Sequence, residues 1–146
     1  MEKNGKKILI IEDDIDLVEA NRVVLEASGF QVVAAYSPSD GARQMKKEAP
    51  DLVILDVLFG HNKQSDGFDL ARQFRMDREI SGVPILMMTS INREYPGFSF
   101  SANDSEYVPV DAFLDKPATP TLLIEKVKEL LTQGTSKWVD WNGLKE

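Results

Sequence analysis

The run Leu52-Val53-Ile54-Leu55 ends abruptly in a carboxylate, Asp56. Four consecutive apolar residues behind Pro50-Asp51 predict a central strand of a parallel sheet, buried on both faces. A charged side chain does not belong inside such a strand, so Asp56 marks its end. The open carboxyl edge of an α/β sheet is also where ligands bind. Asp56 is therefore either the first residue of a loop or the centre of a site, and the other strands must decide which.

The same signature recurs along the chain. A first strand from Lys6 to Ile11 ends in Glu12-Asp13-Asp14. A helix follows from Ile15 to Ser28, with Leu17, Val18, Val24, Leu25 and Ala27 among its apolar positions and Gly29 as its stop. Gln31 to Tyr36 is a second strand, and Ser37-Pro38 starts a helix that runs to about Glu48. Beyond Asp56 lies a polar loop, Gly60 to Gly67, then a helix from about Phe68 to Arg75. Gly82-Val83-Pro84 announces a fourth strand, Ile85 to Met88, that ends at Thr89. Pro96, Gly97 and Pro109 argue against a long regular helix between Asn92 and Pro109. Ala112 to Leu114 is a short fifth strand that ends in Asp115-Lys116-Pro117. Thr119-Pro120 caps the last helix, whose apolar positions are Leu122, Leu123, Val127, Leu130 and Leu131 and whose stop is Gly134. Strand and helix alternate throughout, which predicts a five-stranded parallel sheet with helices on both faces and every strand's carboxyl end on one edge. The expected organisation is one domain over 1–133 and a tail over 134–146 that carries Trp138 and Trp141.

Composition narrows the function classes. At 146 residues and 42% apolar content the chain can build a real core. A net charge of −7 argues against a nucleic-acid surface and against docking on an anionic membrane. The chain has no cysteine, which removes disulfide and thiol chemistry and suits a reducing cytoplasm. No apolar run reaches the length of a membrane span, and the first residues lack a signal peptide's apolar segment, so the expected location is cytoplasmic.

Glu12-Asp13, Asp56, Thr89 and Lys116 all fall at strand ends. Singly each has an ordinary reading: a helix cap, a loop residue, a β-branched strand residue, a surface cation. Together they share one edge. Carboxylates within about 4 Å repel by roughly 4 kcal/mol per pair at an effective dielectric near 20. An oxygen-ligand cluster of this kind suits Mg²⁺, which shares its sphere with waters and a phosphate. Lys116 supplies a point positive charge for a phosphoryl oxygen and Thr89 a small hydroxyl donor. These are the parts for phosphoryl transfer onto a carboxylate.

At these residues the chain resembles the receiver domain of the two-component response regulators. The matching pieces are Ile8 to Asp14, Leu52 to Asp56, Asp66-Gly67-Phe68, Pro84 to Ser90 and Phe113 to Pro117. The resemblance implies a flavodoxin-like, doubly wound sheet of order 2-1-3-4-5. It implies that Asp56 accepts a phosphoryl group from a histidine kinase or phosphotransfer protein, that Asp13 binds Mg²⁺ directly and Glu12 through water, and that Asp56 and the Leu58 carbonyl complete the protein ligands. Thr89 and Lys116 would bind the phosphoryl group, the Lys116-Pro117 peptide would be cis, and Phe113 would be an aromatic switch coupled to Thr89. Phe113 also has the plain reading of a core strand aromatic. The implied role is a signalling switch that catalyses only its own phosphorylation and dephosphorylation, and whose output is binding to a partner protein.

The chain departs from the family pattern in places. Gly60 holds the position of a usual proline, and His61 to Ser65 lengthen the loop that borders the site. His61, the one histidine, reads as a solvated loop residue. The segment from Thr89 to Lys116 is longer than usual and is interrupted where the family's fourth helix falls. This argues against the family's common dimer, built on that helix and the strand and helix after it, and leaves the oligomeric state open. Tyr95, Phe98, Phe100 and Tyr107 there either cover the core or form a partner-binding loop. Leu58 and Ile91 are apolar and cannot orient an attacking water, which predicts slow loss of the phosphoryl group.

Two other readings compete. A degenerate receiver would be a phosphorylation-independent binding module, disfavoured because every phosphorylation residue is present. An enzyme of another class fits less well. An aspartate-nucleophile phosphatase would need an acid where Leu58 sits, and a flavodoxin would need a phosphate-cradling loop where Glu12-Asp13-Asp14 stand.

Overall fold

The computed structural model describes residues 5–56, 66–89, 110–116 and 118–133. Its elements are β1 (Lys7–Ile11), α1 (Ile15–Ala27), β2 (Gln31–Ala35), α2 (Pro38–Glu48), β3 (Leu52–Asp56), α3 (Asp66–Met76), β4 (Ile85–Thr89), β5 (Ala112–Asp115) and α4 (Pro120–Gln133). The strands form one parallel sheet in the order β2-β1-β3-β4-β5, as expected for a flavodoxin-like fold.

Strand residues sort between two cores by parity, because successive side chains point to opposite faces. Leu9, Ile11, Val53, Leu55, Ile85 and Met87 pack with Met45 of α2 and with Leu70, Ala71 and Phe74 of α3. Ile8, Ile10, Leu52, Ile54, Leu86, Met88 and Leu114 pack with Val18 and Leu25 of α1 and with Leu123, Val127 and Leu130 of α4. Every residue of β3 and β4 is buried, which is why those strands read as unbroken apolar runs.

Local signals set the helix ends. Asp14 Oδ1 accepts from the Leu17 amide at 3.1 Å, and Ser37 Oγ accepts from the Asp40 amide at 3.2 Å, with Pro38 in the first helical turn. Thr119 Oγ1 accepts from the Leu122 amide at 3.2 Å. Gly29, with φ 98°, turns the chain out of α1. Gly41 lets α2 lie against β1, since a Cβ there would come within 2.7 Å of Ile11 Cδ1 and 2.8 Å of Ile11 Cγ2.

The structure corrects three expectations. The helix placed from about Phe68 begins at Asp66. Leu122, placed on the apolar face of the last helix, is 41% exposed. The buried stripe of α4 runs through Leu123, Val127 and Leu130, and Leu122 lies about 100° around the helix from Leu123. Ala27 of α1 is exposed, whereas Asn21 takes a place in the buried stripe, its Nδ2 lying 4.0 Å from Met88 Sδ. The expectations for the loop after Asp56, the segment 90–109, Pro117 and the tail from 134 lie outside the described residues.

The amino edge of the sheet is closed by paired charges. The Lys7 amide donates to Asp51 Oδ2 at 2.8 Å, and Lys7 Nζ reaches Glu48 Oε1 at 3.0 Å. Across the sheet, Arg75 at the end of α3 meets Asp111 just before β5, Nη2 to Oδ2 at 2.5 Å, with both side chains buried. Burial pulls the Arg75 guanidinium below its ordinary range, against the opposing pull of the Asp111 carboxylate.

Candidate functional site

The carboxyl edge carries a different set of charges. Glu12 follows β1 and Asp56 ends β3, the neighbouring strand, where Ile11 lies in register with Leu55. The sheet therefore sets the two carboxylates side by side. Carboxylate oxygens of Glu12, Asp13 and Asp56 all lie within 4.8 Å of one another. Glu12 and Asp56 are buried and Asp13 is exposed, so the cluster opens to solvent on one side. Thr89, the last residue of β4, is 2% exposed and stands one strand over from Asp56.

Lys116 comes from the end of β5, where its amide donates to the Thr89 carbonyl at 3.0 Å. Its Nζ lies 2.8 Å from Asp56 Oδ1 and 3.1 Å from Glu12 Oε1. The other Glu12 oxygen, Oε2, accepts from the Asp14 amide at 3.0 Å. Asp14 thus caps α1 with its side chain and orients Glu12 with its backbone. Sequence reading treated Asp14 only as part of an acidic run, although an aspartate directly before a helix signals the capping half of this role.

The electrostatics follow from this crowding. Burial, and next the Asp56 charge, push Glu12 up to about 7, against the pull of Lys116 and the Asp14 amide. Burial would lower the Lys116 ammonium, yet the Asp56 and Glu12 carboxylates outweigh it and hold the group above its ordinary value. Lys116 touches two carboxylates and cannot neutralise the cluster. The donor set is hard, oxygen-only and partly open, which fits a small divalent cation that keeps some of its waters.

The site residues read from the sequence thus fall into two groups. Glu12, Asp13, Asp56 and Lys116 converge, and Thr89 ends the adjoining strand with its side chain buried. Phe113 lies half-buried in β5, packed against the core on the α2 and α3 side. Leu58 and the Lys116-Pro117 peptide lie outside the described residues.

The sequence pattern of the response regulator receiver domain matches residues 8–128. The chain belongs to the response regulator receiver family. Relatives of this receiver include the transcriptional regulatory protein GltR of Pseudomonas aeruginosa, 31% identical over 134 residues, covering 90% of this chain and 51% of GltR. The alkaline phosphatase synthesis transcriptional regulatory protein PhoP of Bacillus subtilis is 30% identical, over 87% of this chain and 49% of PhoP. The chain spans about half the length of the curated relatives it matches. Among solved structures, a two-component response regulator from Clostridium difficile matches with a TM-score of 0.71 at 27% identity, covering 87% of this chain and 96% of that one. A CheY-like receiver domain protein from Methanospirillum hungatei matches with a TM-score of 0.72 at 25% identity, covering 89% and 96% of the two chains. The receiver's fold agrees with these neighbours. Among the described residues no helix is long and apolar enough to cross a membrane.

Proposed function

We propose that this receiver is a phosphorylation switch in which Asp56 takes a phosphoryl group from the phosphohistidine of a sensor histidine kinase or phosphotransfer protein. The observation that carries the reading is a cluster of three carboxylates, two of them against Lys116 Nζ, which lies 2.8 Å from Asp56 Oδ1, at the carboxyl edge of a receiver fold. An Asp56 oxygen forms the new bond to phosphorus as the bond from phosphorus to the donor nitrogen breaks, leaving the imidazole as leaving group. Glu12, Asp13 and Asp56, with the Leu58 carbonyl, are the residues that would hold Mg²⁺. Bound there, it would neutralise charge on the carboxylates and on the transferred phosphoryl group.

The chain's own residues do the rest. Lys116 contacts Oδ1 of the acceptor carboxylate, and would follow the charge outward from the carboxylate to a phosphoryl oxygen. The Thr89 hydroxyl donates to another phosphoryl oxygen. Phe113, half-buried on the strand that leads to Lys116, would repack when Thr89 shifts and so turn a local charge change into a changed surface. The output is altered binding to a partner protein, with no contact from this domain to nucleic acid or membrane and with action in the cytoplasm. The acidic composition supports the exclusion of nucleic acid and of anionic membranes. The domain comprises residues 1–133, with 134–146 as a tail.

The test is intact mass after incubation with acetyl phosphate and Mg²⁺. A single phosphoryl increment is expected, absent from Asp56→Asn and absent without the metal. No increment together with no Mg²⁺ binding would favour the alternative, a receiver that binds its partner independently of phosphorylation. No increment with Mg²⁺ bound would make a kinase the donor to try next.

A further inference from the structure

The buried pair Arg75–Asp111 takes no part in the chemistry above, and its geometry is unusual for a stabilising ion pair. Arg75 Nη1 donates to the Ser81 carbonyl at 3.0 Å and to the Val83 carbonyl at 2.8 Å, while Nη2 meets Asp111 Oδ2 at 2.5 Å. One guanidinium therefore ties the end of α3, the turn before β4 and the residue before β5. Asp111 grips the first residue of β4 twice. Its Oδ2 accepts from the Ile85 amide at 2.8 Å, and its own amide donates to the Ile85 carbonyl at 2.9 Å. Its other carboxylate oxygen, Oδ1, is buried and finds no hydrogen-bond partner among the described residues.

That orphan oxygen is informative. A buried carboxylate with one oxygen unsatisfied costs free energy, and a buried ion pair is a weak source of net stability. What the pair does supply is direction. β5 has only four residues, lies at the edge of the sheet, and is separated from β4 by positions 90–111. A short edge strand after a long connection is weakly specified in register, and a slip of one residue turns every side chain to the opposite face. In the observed register Leu86 faces Ala112 and Thr89 faces Asp115, which delivers Lys116 to Asp56.

We propose that Arg75 and Asp111 are positioning residues that fix the register of β5 on β4, and so set which face Phe113 takes and place Lys116 beyond the far end of the strand. The consequence for phosphoryl transfer rests on the function proposed above; the consequence for register does not.

The test compares the single variant Arg75→Met with the double variant Arg75→Met/Asp111→Leu, which replaces the pair by apolar side chains. Three quantities are read in wild type and both variants: thermal midpoint, hydrogen exchange of individual amides, and Mg²⁺ affinity beside the rate of phosphorylation by acetyl phosphate. The double variant is expected to recover much of the stability that the single variant loses. It is also expected to lose at least tenfold protection at the Lys116 amide while the β3 amides hold theirs. Mg²⁺ affinity should stay within about twofold, because its ligands lie at the carboxyl ends of β1 and β3, whereas phosphorylation should fall at least tenfold. A folded double variant with wild-type protection at Lys116 overturns the proposal, as does a double variant that cannot fold, since the pair would then serve stability alone. If the wild type takes no phosphoryl group from acetyl phosphate and binds no Mg²⁺, the function proposed above fails; if it binds Mg²⁺, a kinase replaces acetyl phosphate as donor, and in both cases the exchange measurement still decides the register.

Discussion

At the amino edge of the sheet Arg75 meets Asp111 and Lys7 meets Glu48, cation to carboxylate. At the carboxyl edge Lys116 is shared by Glu12 and Asp56, with Asp13 beside them. Both ends of the same strands hold charge, but among the described residues the carboxyl edge gathers three carboxylates about one ammonium. The amino edge joins strands to turns and has no use for an unbalanced field. The carboxyl edge holds repulsion that a bound cation can relieve, so its charges are poised to change partners. Paired charge thus marks where this fold is held, and crowded charge marks where it acts.

Removing the central cation should break this contrast most severely. Lys116→Met is expected to lower the rate of phosphorylation by acetyl phosphate by about 10²–10³-fold, the range for a lost oxyanion donor, followed by intact mass over time. Mg²⁺ affinity should hold or rise, since a positive charge beside its ligands is gone. A variant that phosphorylates at the wild-type rate would reduce Lys116 to a surface cation.

A smaller effect concerns proton uptake. Glu12 is raised from an ordinary 4.5 to about 7, so between those values the folded protein holds more protons than the unfolded chain. Stability of the metal-free protein should therefore fall as pH rises through that window, by up to roughly 3 kcal/mol from this one group. Urea unfolding in the presence of a chelator, wild type against Glu12→Gln, checks it. The difference in slope between the two proteins should vanish outside the window, and equal slopes within it would place the Glu12 titration lower.

The smallest effect belongs to the amino edge. Lys7 and Glu48 are each about a quarter exposed, and a pair of this kind contributes at most about 1 kcal/mol. Lys7→Met should shift urea unfolding by less than that and leave phosphorylation unchanged. A large loss of phosphorylation would show that the Lys7–Glu48 pair, like Arg75–Asp111, acts on the carboxyl edge.

Much of this was legible in the sequence because the relevant signals are local. Unbroken apolar runs named the buried strands, and Asp56, Thr89 and Lys116 at their ends named the edge where they meet. What escaped depended on three-dimensional contact. Arg75 reads as an ordinary helix-end cation and Asp111 as a loop acid, and nothing in their spacing announces that they meet. Asn21 reads as a surface amide, yet it lies on the buried side of α1 because the helix period puts it in line with Val18 and Leu25. Leu122 reads as core by its type and is exposed by its angle on the helix. Glu12 and Asp13 were read as a pair, whereas one is buried against Lys116 and the other faces solvent.

The close contact between Gly41 and Ile11 has a consequence for how this domain tolerates change. Ile11 immediately precedes Glu12, and both Cδ1 and Cγ2 of its side chain occupy the space a Cβ at 41 would need. Any larger residue there presses on the strand that delivers the first acid of the cluster. A mutational survey scored by signalling would mark position 41 as intolerant, beside residues that do chemistry, although glycine contributes no functional group. Its contribution is the room it leaves.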